Sequence, residues 1–115
     1  PFMWNDPALL LDMLQAAQKV LEYASGLDRP RFESSSRDQD AILRQLTILG
    51  EAAKGISGEF RSEHPEIPWR RIAGFRDVVV HQYFNVNLEE VWRIVQEDVP
   101  SLIPLIEPLI PPKEP

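Results

Sequence analysis

The 115-residue chain contains no cysteine, which excludes a disulfide framework, a thiolate metal site and a cysteine nucleophile. Histidine is nearly as scarce, with only His64 and His81, and there is no two-histidine metal spacing. Neither a phosphate-cradling glycine-rich loop nor a Ser–His–Asp order is present, so no metal or cofactor is expected. No apolar run approaches the roughly 18 residues of a membrane span. The stretch Pro1-Phe2-Met3-Trp4 has no basic lead into an apolar segment. The expectation is therefore a cytoplasmic protein with no membrane partner. Positive charge is also in short supply, with 12 basic residues against 18 acidic ones and a formal charge of −6. A uniformly basic surface is excluded, and any nucleic acid has to meet a local patch.

What is present is an ordinary soluble composition, 43% hydrophobic and 26% charged, at the modal length of one domain. One helical domain is expected over 1–110, with a frayed tail at 111–115. The periodicity is helical almost throughout. Asp6-Pro7 reads as N-cap and first helical residue. Leu10, Met13, Leu14, Ala17, Val20 and Leu21 then form one apolar face, and Gly26 ends a helix over about 7–25. Residues 27–35 read as a polar connection. Ser36 and Gln39 resemble a capping box. Behind it Ile42, Leu46, Leu49, Ala53 and Ile56 mark a second helix over about 37–57. Pro68 opens a third over about 68–83, after a proline-marked loop that carries His64, read as a surface residue. Asn87 with Glu90 predicts a break at 84–87 and a fourth helix from 88, whose core face is Leu88, Val91, Trp92, Val95 and Val99. Pro100 must kink or restart it. The fold class is all-α, an antiparallel bundle of four or five helices.

The chemistry-bearing segment is Gly74-Phe75-Arg76-Asp77-Val78-Val79-Val80-His81-Gln82-Tyr83. Asp77 and His81 are four apart and share a helix face, so the carboxylate can hold the imidazole and favour its charged form. Arg76 and His81 are five apart, about 140° around an ideal helix. One straight helix does not aim both at one atom. Either the helix unwinds near His81, or symmetry brings groups from a second chain. By itself His81 also reads as a capping histidine near a helix C-terminus, and Tyr83 as an aromatic with its hydroxyl in water. Arg70 and Arg71 read either as an extension of a phosphate-binding stripe or as solvated first-turn charges. Glu51 and Lys54 read as a surface pair or dimer contact, and Trp4, Trp69 and Trp92 as packing residues.

Arg76, four residues, His81, one residue, Tyr83 resembles the motif of HepT-like toxins in the HEPN superfamily. Leu49-Gly50-Glu51-Ala52-Ala53-Lys54 resembles that family's second-helix segment. Ile67-Pro68-Trp69-Arg70-Arg71-Ile72 resembles the approach to its motif helix, and Val91-Trp92 with Asp98-Val99-Pro100 its last helix. The resemblance implies a two-fold homodimer with a composite cleft and metal-independent endoribonuclease activity on cellular RNA, tRNA or mRNA. It implies Arg76 and His81 as catalytic residues, supported by Asp77, which stands where the family often has Asn. It further implies a toxin–antitoxin pair in which a minimal nucleotidyltransferase antitoxin attaches AMP to Tyr83. RNA carries its own 2′-OH nucleophile, so a histidine for proton transfer and an arginine for phosphate are the residue types required. The competing reading is a non-catalytic helical partner of a nucleotidyltransferase, docked through Arg76 and Tyr83.

Overall fold

The first helix, α1 (Asp6–Ala24), is capped one residue earlier than its sequence suggests. Asn5 is the N-cap, and its side chain accepts from the Ala8 N–H at 2.9 Å. Asp6, expected in that role, instead accepts from the Ser57 N–H at 2.9 Å and the Ser57 hydroxyl at 2.7 Å. The structure, a computed structural model, describes residues 5–82 and 87–112, with the side chains of residues 80–82 outside that description. Trp4, Tyr83, the anticipated break at 84–86 and the last residues of the anticipated frayed tail, 113–115, lie outside the described residues.

Gly26 ends α1 as expected, at φ +81°, a left-handed conformation that glycine adopts without strain. The following connection is not merely polar. It contains α2 (Arg29–Ser34), whose Phe32 is fully buried and stacks on Trp92 at a centroid distance of 5.1 Å. A single apolar residue in six shows no period, but Asp28-Arg29-Pro30 repeats the cap-and-proline pattern of Asn5-Asp6-Pro7, and Asp28 accepts from the Arg31 N–H.

The second long helix, α3 (Ser36–Gly55), is capped by Ser35 rather than Ser36. Ser35 Oγ accepts from the Asp38 N–H, and Gln39 turns back to donate to the Phe32 and Glu33 carbonyls at 2.9 and 3.0 Å. Gln39 thus closes the end of α2 and completes no capping box with Ser36. The start of α1 meets the end of α3 through Asp6–Ser57, and Leu9 lies 3.1 Å from a Cβ built on Gly55. The two helices are therefore antiparallel, and they form the principal packed pair. Every residue of the anticipated α3 face, Ile42, Leu46, Leu49, Ala53 and Ile56, is buried.

After α4 (Gly58–Glu63), the anticipated third helix divides into α5 (Trp69–Ala73) and α6 (Phe75–Gln82) at Gly74. Both pack on α3. Asn87 caps α7 (Leu88–Arg93) as expected, accepting from the Glu90 N–H at 3.1 Å. A π-helical turn, Ile94–Asp98, joins it to α8 (Val99–Ile106), and a short 3₁₀ turn follows at Glu107–Leu109. In the widened turn the Val99 N–H reaches the Ile94 carbonyl, and Pro100, with no N–H to donate, begins the restarted helix. The architecture is all-α, with eight α-helical segments among the described residues rather than four or five helices. One apolar core runs from Met13 and Val20 through Leu46 and Ile72 to Val95, Leu102 and Ile106. No helix of the described residues is long and apolar enough to cross a membrane.

Two glycines separate crowding from helix propensity. A Cβ on Gly50 stands 3.2 Å from both the Arg76 nitrogen and the Ile72 carbonyl oxygen, whereas one on Gly58 meets nothing within 4 Å. Alanine gains about 1 kcal/mol over glycine in a helix interior, but overpacking costs about 1–3 kcal/mol. Gly50→Ala should destabilise by about 1 kcal/mol in urea unfolding, while Gly58→Ala should be neutral or stabilising. Equal effects would contradict the backbone contact.

Candidate active site

The position of α6 follows from its contact with α3. Because Gly50 has no side chain, the α5–α6 junction lies with backbone against α3. The next residue on α3, Glu51, then meets Arg76 on α6, its Oε1 2.7 Å from Arg76 Nε. Both side chains are about half exposed, at 48% and 45%. The pair therefore contributes little stability through solvent-screened attraction, but it sets an orientation. Glu51 takes the Nε edge of the planar guanidinium, and the terminal Nη groups of the fork remain for an anion. The anticipated Glu51–Lys54 pair is not formed. Lys54 instead faces Arg61 and Arg70 around a separate concavity. Lys54 is close to Glu51 in sequence but Arg76 is closer in space, because the glycine contact brings α6 in.

The backbone of His81 lies on α6, which is helical from Phe75 to Gln82. The helix therefore does not unwind between Arg76 and His81, and on this backbone the two positions diverge by about 140°. Asp77 is exposed and lies four positions before His81 on the same helix. The His81 side chain and all of Tyr83 are outside the described residues.

The two arginines read as a possible stripe part company. Arg71 Nη2 is 3.0 Å from Asp98 Oδ2, in an ion pair with a carboxylate that is only 16% exposed. Arg70 is exposed on the Lys54 side. Arg93 joins the Asp98 cluster at 3.7 Å and holds Glu90 in a forked contact, with Nε to Oε2 at 3.1 Å and Nη2 to Oε1 at 2.6 Å. This hydrogen bond with Arg93 holds the Glu90 carboxyl below its ordinary range, outweighing the opposing effect of burial. The cluster ties α5 to α7 and the π turn, on the flank of α6.

His64, read as an ordinary surface residue, is half-buried. Its ring lies 4.4 Å from that of Phe60, its Nδ1 is 3.2 Å from Glu66 Oε2, and its carbonyl accepts from the Trp69 indole at 2.9 Å. It braces the turn ahead of α5. Trp69 is buried and Trp92 half-buried, both as packing residues.

Comparison with known proteins identifies a family. The family model described as Ribonuclease HepT-like matches residues 13–109. A Thermococcus cleftensis protein named Probable ribonuclease HepT is 40% identical over 93 residues, covering 81% of this chain and 84% of its own. A Methanocaldococcus jannaschii protein named as an RNase is 36% identical over 95 residues, covering 83% and 87%. No solved structure matches the chain.

The Glu90–Arg93 pair makes stability depend on pH in a defined direction. A carboxyl lowered in the folded state releases its proton more readily there than in the unfolded chain. Its contribution is present above the unfolded value, about 4.3, and is lost as pH falls through the lowered folded value. Because the Glu90 and Arg93 side chains are over one-third exposed, solvent screening keeps the contribution small. Glu90→Gln should therefore be less stable than wild type at pH 7, with a gap that narrows as pH falls below about 4, measured by urea unfolding. A gap unchanged across that range would remove the pair as its cause.

Proposed function

The chain belongs to the HepT-like ribonuclease family and is an endoribonuclease, and we propose that Arg76 and His81 carry its chemistry at a composite site in a two-fold homodimer. The observation that carries this reading is the continuous helix of α6. Positions 76 and 81 lie about 140° apart around the α6 backbone, so a second chain's α6 is the simplest source of the complementary group. The RNA supplies its 2′-OH as nucleophile. One His81 takes the 2′-OH proton as the 2′-oxygen attacks phosphorus. The second chain's His81 gives a proton to the 5′-oxygen as the P–O5′ bond breaks. The products are a 2′,3′-cyclic phosphate and a 5′-hydroxyl, and no metal ion takes part. Arg76, oriented by Glu51 through its Nε edge, stabilises the charge that develops on the phosphorane oxygens. Asp77 holds and charges His81 from one helical turn away.

The biological setting supported by the family is a toxin acting on cellular RNA, tRNA or mRNA, with a minimal nucleotidyltransferase as its antitoxin. Tyr83 is two residues beyond His81. AMP attached to its hydroxyl adds bulk and negative phosphate beside the cationic site and blocks RNA.

Positioned proton-transfer groups contribute about 10²–10⁴-fold. Arg76→Ala and His81→Ala should each lower cleavage of purified total RNA by at least about 100-fold. Mixed with wild-type chains, His81→Ala should act as a dominant negative, because a mixed dimer holds one His81 and cannot supply both the base and the acid. A mixed dimer that keeps half the wild-type activity, with dimers demonstrably exchanged, would place the proton-transfer groups of each site in one chain. Full activity in both single variants would remove the assignment.

Tyr83→Phe removes only the hydroxyl. It should remain toxic on expression but escape rescue by a co-expressed antitoxin nucleotidyltransferase. Equal rescue of wild type and variant would assign neutralisation to binding instead of modification.

A further inference from the structure

Of the basic residues in the described structure, Arg29, Arg71, Arg76 and Arg93 each stand within ion-pair distance of a carboxylate. Lys19, Arg31, Arg37, Arg44, Lys54, Arg61 and Arg70 do not, and of these Lys54, Arg61 and Arg70 converge. They come from three different helices, α3, α4 and α5, and line one open concavity of about 620 Å³ together with Gly58, Ser62 and Trp69. No Asp or Glu is among its lining residues. In a chain of net charge −6, three exposed cations around one hollow with no acidic neighbour in its wall form a local positive site on a surface that otherwise repels polyanions.

We propose that this concavity binds the phosphodiester backbone of single-stranded RNA away from the scissile bond, an inference that rests on the ribonuclease reading above. The chemistry selects a phosphate chain. Arg61 and Arg70 offer planar forks, Lys54 a compact point charge and Ser62 a hydroxyl donor. Trp69 is buried and its indole N–H is committed to the His64 carbonyl. It forms a wall and no base-stacking platform, so binding here is sequence-tolerant. The hollow is also placed to serve the cleavage site. Lys54 follows Glu51 by three residues on α3, a rise of about 4.5 Å, and Glu51 holds Arg76. Lys54 additionally lines the adjoining groove that Glu51 lines. A strand lying across Lys54 therefore passes within one helical turn of the residue that orients Arg76.

The test measures binding without chemistry. A fluorescent 2′-O-methyl RNA oligonucleotide, which has no free nucleophile, is titrated by anisotropy with the full chain at several salt concentrations. Each phosphate neutralised contributes about 0.7 to the slope of log affinity against log salt for a single strand. Lys54→Gln, Arg61→Gln and Arg70→Gln together should lower that slope by about 2. They should raise KM for RNA cleavage while leaving kcat near wild type. Arg44→Gln, an exposed change on α3 outside the lining, should have a smaller effect than any of the three. Matched thermal midpoints establish that the variants fold. A triple variant with the slope of the Arg44→Gln control, in a protein that still cleaves RNA, overturns this inference and leaves the ribonuclease reading standing. A wild-type chain that neither binds nor cleaves RNA overturns both.

Discussion

The backbone contact at Gly50 is the constraint from which the candidate site follows. Glycine in a helix interior costs about 1 kcal/mol relative to alanine, and α3 carries that cost at the one point where the α5–α6 junction approaches to 3.2 Å of a built Cβ. With a Cβ there, the α5–α6 junction has to give by a few tenths of an ångström. Glu51, the next residue on α3, meets Arg76 across this contact, and Ile72 and Phe75 are buried beside it. Helix packing and the direction of the motif arginine are thus one geometric decision, made by the absence of a side chain.

Charge is sorted on either side of that junction. Arg71 and Arg93 are taken up by Asp98 and Glu90, which bind α5 to the π turn and α7. Arg76 is held at one edge by Glu51. Lys54, Arg61 and Arg70 are left facing a common hollow. An acidic protein that handles RNA needs such sorting, because its net field opposes the substrate and only local excess cation can reverse it. The structural arginines and the free cations are adjacent in sequence, as Arg70 and Arg71 show, yet they serve different sides of α5.

The C-terminal segment supplies the other half of the core despite its prolines. The π turn at Ile94–Asp98 places the unfilled donor position at Pro100, so the helix restarts without leaving an expected amide bond unmade. Val95, Val99, Leu102 and Ile106 consequently stay on the buried side, and α8 packs on α1.

Local pattern alone was sufficient for the all-helical class, the long faces of α1 and α3, the Asn87 cap and the Gly26 terminus. Each depends on residues within a turn or two of one another, where spacing and φ preference decide the outcome. Cap positions shifted by a single residue, Asp6 to Asn5 and Ser36 to Ser35, because neighbouring polar side chains compete for the same amides and distant partners break the tie. Ser57 draws Asp6 away, and the end of α2 draws Gln39 away. The motif Arg76–His81–Tyr83 was legible as a linear spacing. Its partner Glu51 was not, because a contact across 25 positions depends on how closely two helices approach. The same holds for the grouping of Lys54 with Arg61 and Arg70 and the separation of Arg71 from Arg70. Helical periodicity states which way each side chain leaves its own helix. Only the packing of α3, α4 and α5 against one another decides which of those side chains meet.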